Sequence, residues 1–440
     1  MTTPKQLLNS HSPSVEPLSG REPGPYSTHY AVDRDYSGWI LLLIILVALR
    51  GAALVFGQNV AAQTQPAARS RTQYSVSTLP SLGGTSSGGN SINNQSWVAG
   101  YSRMPNRDRH AILWRNSTLT DLGTLGGPNS SVTWSVKNTA GIIVGISQTA
   151  DPEPLGESWS SAAFYSTPNN VGYINLGFVW ENNQMRELPP FPGGNNGFAT
   201  GANNFGQVVG WAENGIHDPN CCCTQVLQFR PAVWTLGPPD QIQGLPLISG
   251  DSSGAATAIN DHGQIVGISG ICDQAVGRHT AKHAVLWENG TVTDIYPNPP
   301  APWWNTPTAI NQRGDVVGFA GDPAFVDGDI LHAFMWTRED GIRQLKPLPN
   351  RTPKHVDTEA YGINEARQVV GVSCDADFVD CRAVIWDHGN TPTDLNDLAP
   401  GSPALLALAK DINNKGEITG RAIDPNTGAL KAYLAVPLAH

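Results

Sequence analysis

At 440 residues the chain is long enough for two or three domains, or for one large β domain. Charged residues make up only 15% while Gly (46) and Pro (34) are plentiful, which argues against long helices and for short strands joined by turns. A net charge of −10 repels phosphate backbones, so nucleic acid is excluded as an expected partner.

Residues 1–37 read as a disordered tail. The apolar run GWILLLIILVALRGAALVFG (38–57) follows, and about 20 residues of helix reach across roughly 30 Å of hydrocarbon. It reads as a transmembrane anchor or uncleaved signal, with the membrane as a partner; cleavage near VAA (60–62) would instead give a secreted chain. The expected location is the cell envelope, with everything after a 58–73 linker outside the cytoplasm. All six cysteines follow the apolar run, which fits an oxidising compartment.

From residue 74 onward one unit recurs. YSVSTL (74–79) reads as a lone strand, and then an asparagine turn appears seven times, at Asn93, Asn138, Asn203, Asn260, Asn311, Asn364 and Asn413. In the fullest copies, such as INDHGQIVG (259–267), a glycine stands three residues after the asparagine and another seven after it. The middle glycine is replaced by Ser96 and Arg367 in two copies. Asn and Gly here are turn chemistry: the amide caps the turn, and glycine takes a positive φ without a Cβ penalty. Each copy continues through a variable loop to a strand ending in tryptophan, at Trp114, Trp180, Trp234, Trp287, Trp336 and Trp386; the seventh copy has Leu434 there. A polar turn and a short strand such as LTDL (119–122) complete the unit.

Each unit therefore predicts four short strands, A to D, with one Trp filling the wedge between neighbouring sheets. Seven such units predict an all-β, seven-bladed propeller over residues 74–440, preceded by one transmembrane helix. The last unit stops after strand C, and the lone strand at 74–79 supplies the missing strand D, closing the ring.

The motifs AINxxGxxVG, HAFxW (His332-Ala333-Phe334 is literal) and DLGxLGG resemble those of the HAF family of probable extracellular repeats, and more distantly Kelch repeats. The resemblance implies an extracellular repeat fold and brings no assigned reaction.

From the closing glycine of strand B to the strand-C Trp or Leu434, the spacings are 14, 35, 24, 20, 18, 15 and 14 residues. Blades two to four are thus elaborated in their B–C loops. The B–C and D–A loops share one face, which becomes the expected binding surface for an unknown protein or glycan. An anchor entering strand D would lie at the opposite face. Cys374 and Cys381 flank a hairpin loop and predict a disulfide; Cys272 is expected to pair with Cys221, Cys222 or Cys223. A metal site built from these cysteines with His279 and His283 is the alternative. Asp322/Asp327/Asp329 and Asp375/Asp377/Asp380 are candidate Ca²⁺ ligands without EF-hand spacing. His110, His283 and His332 start strand C and read as structural. GTSSG (84–88) and GDSSG (250–254) match the nucleophile-elbow pattern but fall in D–A linkers without the strand–turn–helix it needs. No catalytic residue or cofactor is expected. The sequence reads as a membrane-anchored, non-catalytic binding or scaffold propeller, with a propeller-type glycan hydrolase or lyase as the alternative.

Overall fold

A computed structural model describes residues 71–438, apart from 117, 158–171, 222–224, 273–280, 298–303, 322–329 and 388. In chain order the strands are β1 (Tyr74–Thr78), β2 (Ser87–Ile92), β3 (Val98–Arg103), β4 (Arg109–Arg115), β5 (Thr118–Asp121), β6 (Gly126–Ser131), β7 (Ile143–Pro152), β8 (Tyr173–Glu181), β9 (Gln184–Leu188) and β10 (Gly197–Ala202). They continue as β11 (Gln207–His217), β12 (Leu227–Thr235), β13 (Gln241–Gly244), β14 (Ser253–Ile259), β15 (Ile265–Gly270), β16 (His283–Glu288), β17 (Thr291–Asp294), β18 (Asn305–Ile310) and β19 (Val316–Gly321). The last are β20 (Leu331–Thr337), β21 (Gly341–Gln344), β22 (His355–Ile363), β23 (Val369–Asp375), β24 (Cys381–Trp386), β25 (Thr393–Asp394), β26 (Leu405–Ile412), β27 (Ile418–Ile423) and β28 (Leu430–Pro437).

These strands form seven four-stranded antiparallel sheets, β2–β5 through β22–β25 and a last one ordered β1-β28-β27-β26. Tyr74 lies opposite Pro437 and Thr78 opposite Tyr433, so the first strand completes the last blade and the ring is a seven-bladed propeller. Inner strands β2, β10, β14 and β18 are buried at every residue, whereas outer strands such as β13 and β17 alternate toward solvent. Trp114, Trp234, Trp287 and Trp386 are buried, and each indole N–H donates to a carbonyl in the preceding blade's exit segment: Pro80, Pro189, Pro246 and Lys346, at 2.6–3.0 Å. Trp180 is buried as well, and Trp336 is half-buried against the core between blades four and five.

The closing glycine of strand B has a steric cause. In six of the seven blades the inner strand carries a bulge three residues before the asparagine. The inner-strand carbonyl facing the glycine sits 1.9–2.2 Å from where a Cβ would stand, at Gly100, Gly145, Gly210, Gly267, Gly318, Gly371 and Gly420 alike.

The expected transmembrane helix is corrected. Among the described residues no helix is long and apolar enough to cross a membrane, and the helix that is described, α1 (Leu395–Leu398), is one turn long. The 38–57 segment to which the anchor was assigned lies outside the described residues. The membrane anchor, the single-pass placement and the membrane as a partner are therefore not carried forward; the architecture described is the propeller.

Blade two departs from the pattern. Its inner strand β6 ends at Ser131, and residues 132–137 peel toward blade one. Asn90 Nδ2 donates to the Val132 carbonyl at 2.7 Å, and Val136 N–H donates to Ser91 Oγ at 2.8 Å.

Candidate functional site

The seven turn asparagines are brought together at the A–B end of the ring. Each Oδ1 accepts backbone N–H bonds within its own turn; Asn260 takes those of His262 and Gln264, both at 3.0 Å. Each Nδ2 reaches the next blade. Asn93 donates to the Asn138 carbonyl, Asn203 to Asn260, Asn260 to Asn311, Asn311 to Asn364, Asn364 to Asn413, and Asn413 back to Asn93, at 2.9–3.3 Å. Asn138 alone is offset, meeting the Ala202 carbonyl at 3.4 Å. The asparagines that resemble a site are thus a closed hoop of turn caps and blade ties.

A second hoop lies just outside it, and the sequence reading passed over it. In six of the seven blades the residue after the asparagine accepts, through a side-chain oxygen, the backbone N–H of the corresponding residue one blade back; Thr139 is the exception, and its own N–H goes to Asn204. Asp261 takes Asn204, Gln312 takes Asp261, Glu365 takes Gln312, Asn414 takes Glu365, and Asn94 takes Asn414. Identity varies at this position, yet all seven residues carry a side-chain oxygen, and that is the signal that could have found it.

The hoops surround a vestibule of about 160 Å³ on the propeller axis. Its floor is the residue before each asparagine: five isoleucines, Ala202 and Lys137. Lys137 Nζ crosses the axis to the carbonyls of Ile363 and Ile412 (3.0 Å for the latter) and pairs with Asp411 at 3.0 Å. Asp411 is fully buried, and its Oδ2 also accepts from Ile92 N–H and Ser135 Oγ. The loop lengths pointed to the opposite face, so this cavity was not anticipated.

Higher along the axis, Tyr361 and Lys410 stand at the bulge position that Thr200, Thr257 and Thr308 fill elsewhere. Tyr361 Oη donates to Glu359, and Lys410 Nζ lies 3.6 Å from the centre of the Tyr361 ring. Burial, with the nearby Arg421 charge, brings the Lys410 ammonium down to about 7, and burial beside Glu359 pushes the Tyr361 hydroxyl well up. All three side chains are buried. They break the repeat, but they are occupied with one another.

On the B–C/D–A face, the loops of blades two, three and four are tied together. Glu157, in the blade-two loop, accepts the N–H groups of Val226 and Leu227 from the blade-three loop at 2.7 and 2.8 Å. Burial and the neighbouring Glu213 carboxylate raise the Glu157 carboxyl to about 8, and Asn196 Nδ2 bridges the two acids. Asp218, in the blade-three loop, accepts from Ser252 and Ser253 of blade four at 2.7 and 2.8 Å. Cys221 is disulfide-bonded to Cys272, joining blades three and four; Cys374 and Cys381 form the second disulfide, within blade six. Cys222, Cys223 and His279 lie outside the described residues, as does the Asp322/Asp327/Asp329 cluster.

The remaining candidates are structural in this geometry. His110 and His283 use Nδ1 toward Asp121 and Asp294 on the adjacent strand D, at 2.8 and 2.7 Å. Asp375 caps the hairpin through the N–H groups of Val379 and Asp380, and Asp380 pairs with Arg382 at 2.6 Å. Among the described residues no group of three or more His, Cys, Asp or Glu is placed to hold a metal ion. Ser252 and Ser253 of the GDSSG stretch are spent on Asp218.

No protein-family model matches the chain, and no curated protein sequence matches it. Among solved structures it is similar to the BP39L lectin from Burkholderia pseudomallei (11% identity, 80% of this chain and 96% of that one, TM-score 0.41). It is similar too to the β-propeller domain of the Trilobed protease from Pyrococcus furiosus (10%, 69% and 79%, 0.40) and to the Aleuria aurantia lectin AAL (10%, 73% and 94%, 0.37). Nothing about ligand or activity is drawn from likenesses of this degree.

Proposed function

We propose that the chain is a non-catalytic recognition module whose contact surface is the B–C/D–A face of blades two to four, with HAF-type repeats as its framework. The tie running through Glu157, Asp218 and Cys221–Cys272 carries the reading. It makes loops from three blades one preorganised platform, and preorganisation cuts the ordering cost of binding. Leu155 and Ile216, 45% and 57% exposed, supply apolar contact on this face. The HAF assignment rests on the asparagine turn, HAFxW and DLGxLGG. The test is a protein and glycan array probed with residues 71–440 and with the Cys221→Ser/Cys272→Ser variant. A ligand held by the parent and weakened at least tenfold in the variant supports the platform; a ligand held equally by both overturns it.

An enzyme acting on glycans is the second reading, favoured by Glu359, Tyr361 and Lys410 breaking the repeat together on the axis. Glycan turnover by the parent that is lost in Lys410→Met would establish it.

A further inference from the structure

The vestibule wall has hydrogen-bonding capacity that the fold does not use. Asn94, Gln312 and Asn414 each spend the side-chain oxygen on a backbone N–H, and Glu365 spends Oε1 on Gln312. Among the described residues, the three amide nitrogens and Glu365 Oε2 meet no protein partner. All four side chains line the same cavity, above an aliphatic floor. Three donors and one carboxylate acceptor around an apolar base complement a molecule that carries hydroxyls at its edge and C–H groups on its face.

Charge narrows the class further. Asp261 and Glu365 place two carboxylates in the wall, which repels anions. At the floor the Lys137 ammonium is already paired with Asp411 and the lining there is otherwise aliphatic, so a cation entering to full depth finds no acidic partner among the described residues. The cavity measures about 160 Å³. That is room for one small ring, well below the ~300 Å³ at which drug-sized sites begin.

We infer that the axial vestibule on the A–B face is a binding site for a neutral polyhydroxylated molecule: a single sugar ring or a sugar alcohol. Every blade contributes wall and floor, so the site exists only in the closed ring. It is distinct from the B–C/D–A platform and stands or falls separately. A ligand of about a dozen heavy atoms with drug-like efficiency per atom binds with a Kd on the order of millimolar.

The test follows the side-chain amide NMR resonances of Asn94, Gln312 and Asn414 while glucose, galactose, mannose or glucitol is added to about 100 mM. Glucosamine and glucuronate serve as charged counterparts. Glu365→Gln keeps the Oε1 acceptor for Gln312 and removes the free one; Thr139→Trp, at an exposed rim position, fills the opening. Saturable shifts from one neutral compound, weakened about tenfold by Glu365→Gln and abolished by Thr139→Trp, support the site. No saturable shift with any neutral compound overturns it, as do an equal response to the charged counterparts and unchanged binding in both variants. Thermal melts of both variants establish that any loss is not unfolding.

Discussion

Arg367 and Ser96 stand where five other blades have glycine, and they hold the same left-handed backbone, with φ of 60° and 63°. Their side chains explain why. The third residue after each asparagine faces the fourth residue of the blade before, and only two of those fourth residues are acidic: Asp315 and Glu417. Arg367 donates to Asp315 through two nitrogens at 2.8 and 3.0 Å, and Ser96 donates to Glu417 at 2.6 Å. Where the earlier blade offers Gln264, the next has Gly314, whose Cβ would stand 3.1 Å from that amide. Acid and donor thus occur as a pair across a blade junction. A double-mutant cycle on Asp315→Gln and Arg367→Gly is expected to give a coupling of about 0.5–2 kcal/mol in denaturant midpoints, and additive effects would remove the pairing. Lys410 makes a pH prediction. Its ammonium titrates at about 7 in the fold against an ordinary 10.5, so its stabilising contribution is complete above about 10.5 and is lost as pH falls through about 7. The parent's unfolding midpoint is therefore expected to decline between pH 10 and 7, and Lys410→Met to flatten that decline; parallel curves for parent and variant would contradict it.

Among the elements, the inner strand and the loops behave differently. Gly267→Ala sets a methyl 2.0 Å from the Ala255 carbonyl, and a bulged strand packed on both sides cannot yield; a loss of about 3 kcal/mol or more is expected in chemical denaturation. Glu157 has the opposite pH sign to Lys410. Its carboxyl is raised from 4.5 to about 8, so its contribution is complete below about 4.5 and is lost as pH rises through about 8. Glu157→Gln should hold the melting temperature up between about pH 5 and 8, where the parent's is expected to fall. These contrasts explain what could be read from the chain. The turns, the tryptophans and the closing glycines are repeat chemistry set by local backbone geometry, so seven copies made strand order and ring closure legible. The outer hoop was present in the sequence but disguised, because Asn, Thr, Asp, Gln and Glu share an oxygen and not an identity. Lys137 showed as one of two breaks in a column of isoleucines, the other being Ala202, but the direction of its ammonium depends on the peeled segment 132–137. The Glu157–Glu213 pair joins the long blade-two loop to the extended end of β11, where no periodicity says which residues meet. The cysteine triplet left its choice of partner open for the same reason.

For the whole molecule, closure dominates. The N-terminal strand, the asparagine hoop and the Ser96–Glu417 contact all cross the same seam between the last blade and the first. Deleting 71–79 strips β28 of its outer partner and exposes an unpaired edge, so association in light scattering and a lower melting temperature are expected. A circular permutant opened in the B–C loop of blade six and joined through the native termini should instead keep the parent melting temperature within a few degrees.

The junction pairing also acts as a grammar for copy number. A unit can be duplicated or excised without disturbing this contact only where the incoming third residue suits the outgoing fourth. Excising blade four brings Gln207 against Gly314, the same amide–glycine junction that was there before. Excising blade five sets Gln264 against Arg367 and strands a guanidinium without its acid, and doubling blade six separates one Arg367 from Asp315 in the same way. At this contact alone the loss of blade four is silent and the loss of blade five is not, although blade four also carries the Cys272 and Ser252/Ser253 partners of the blade-three loop.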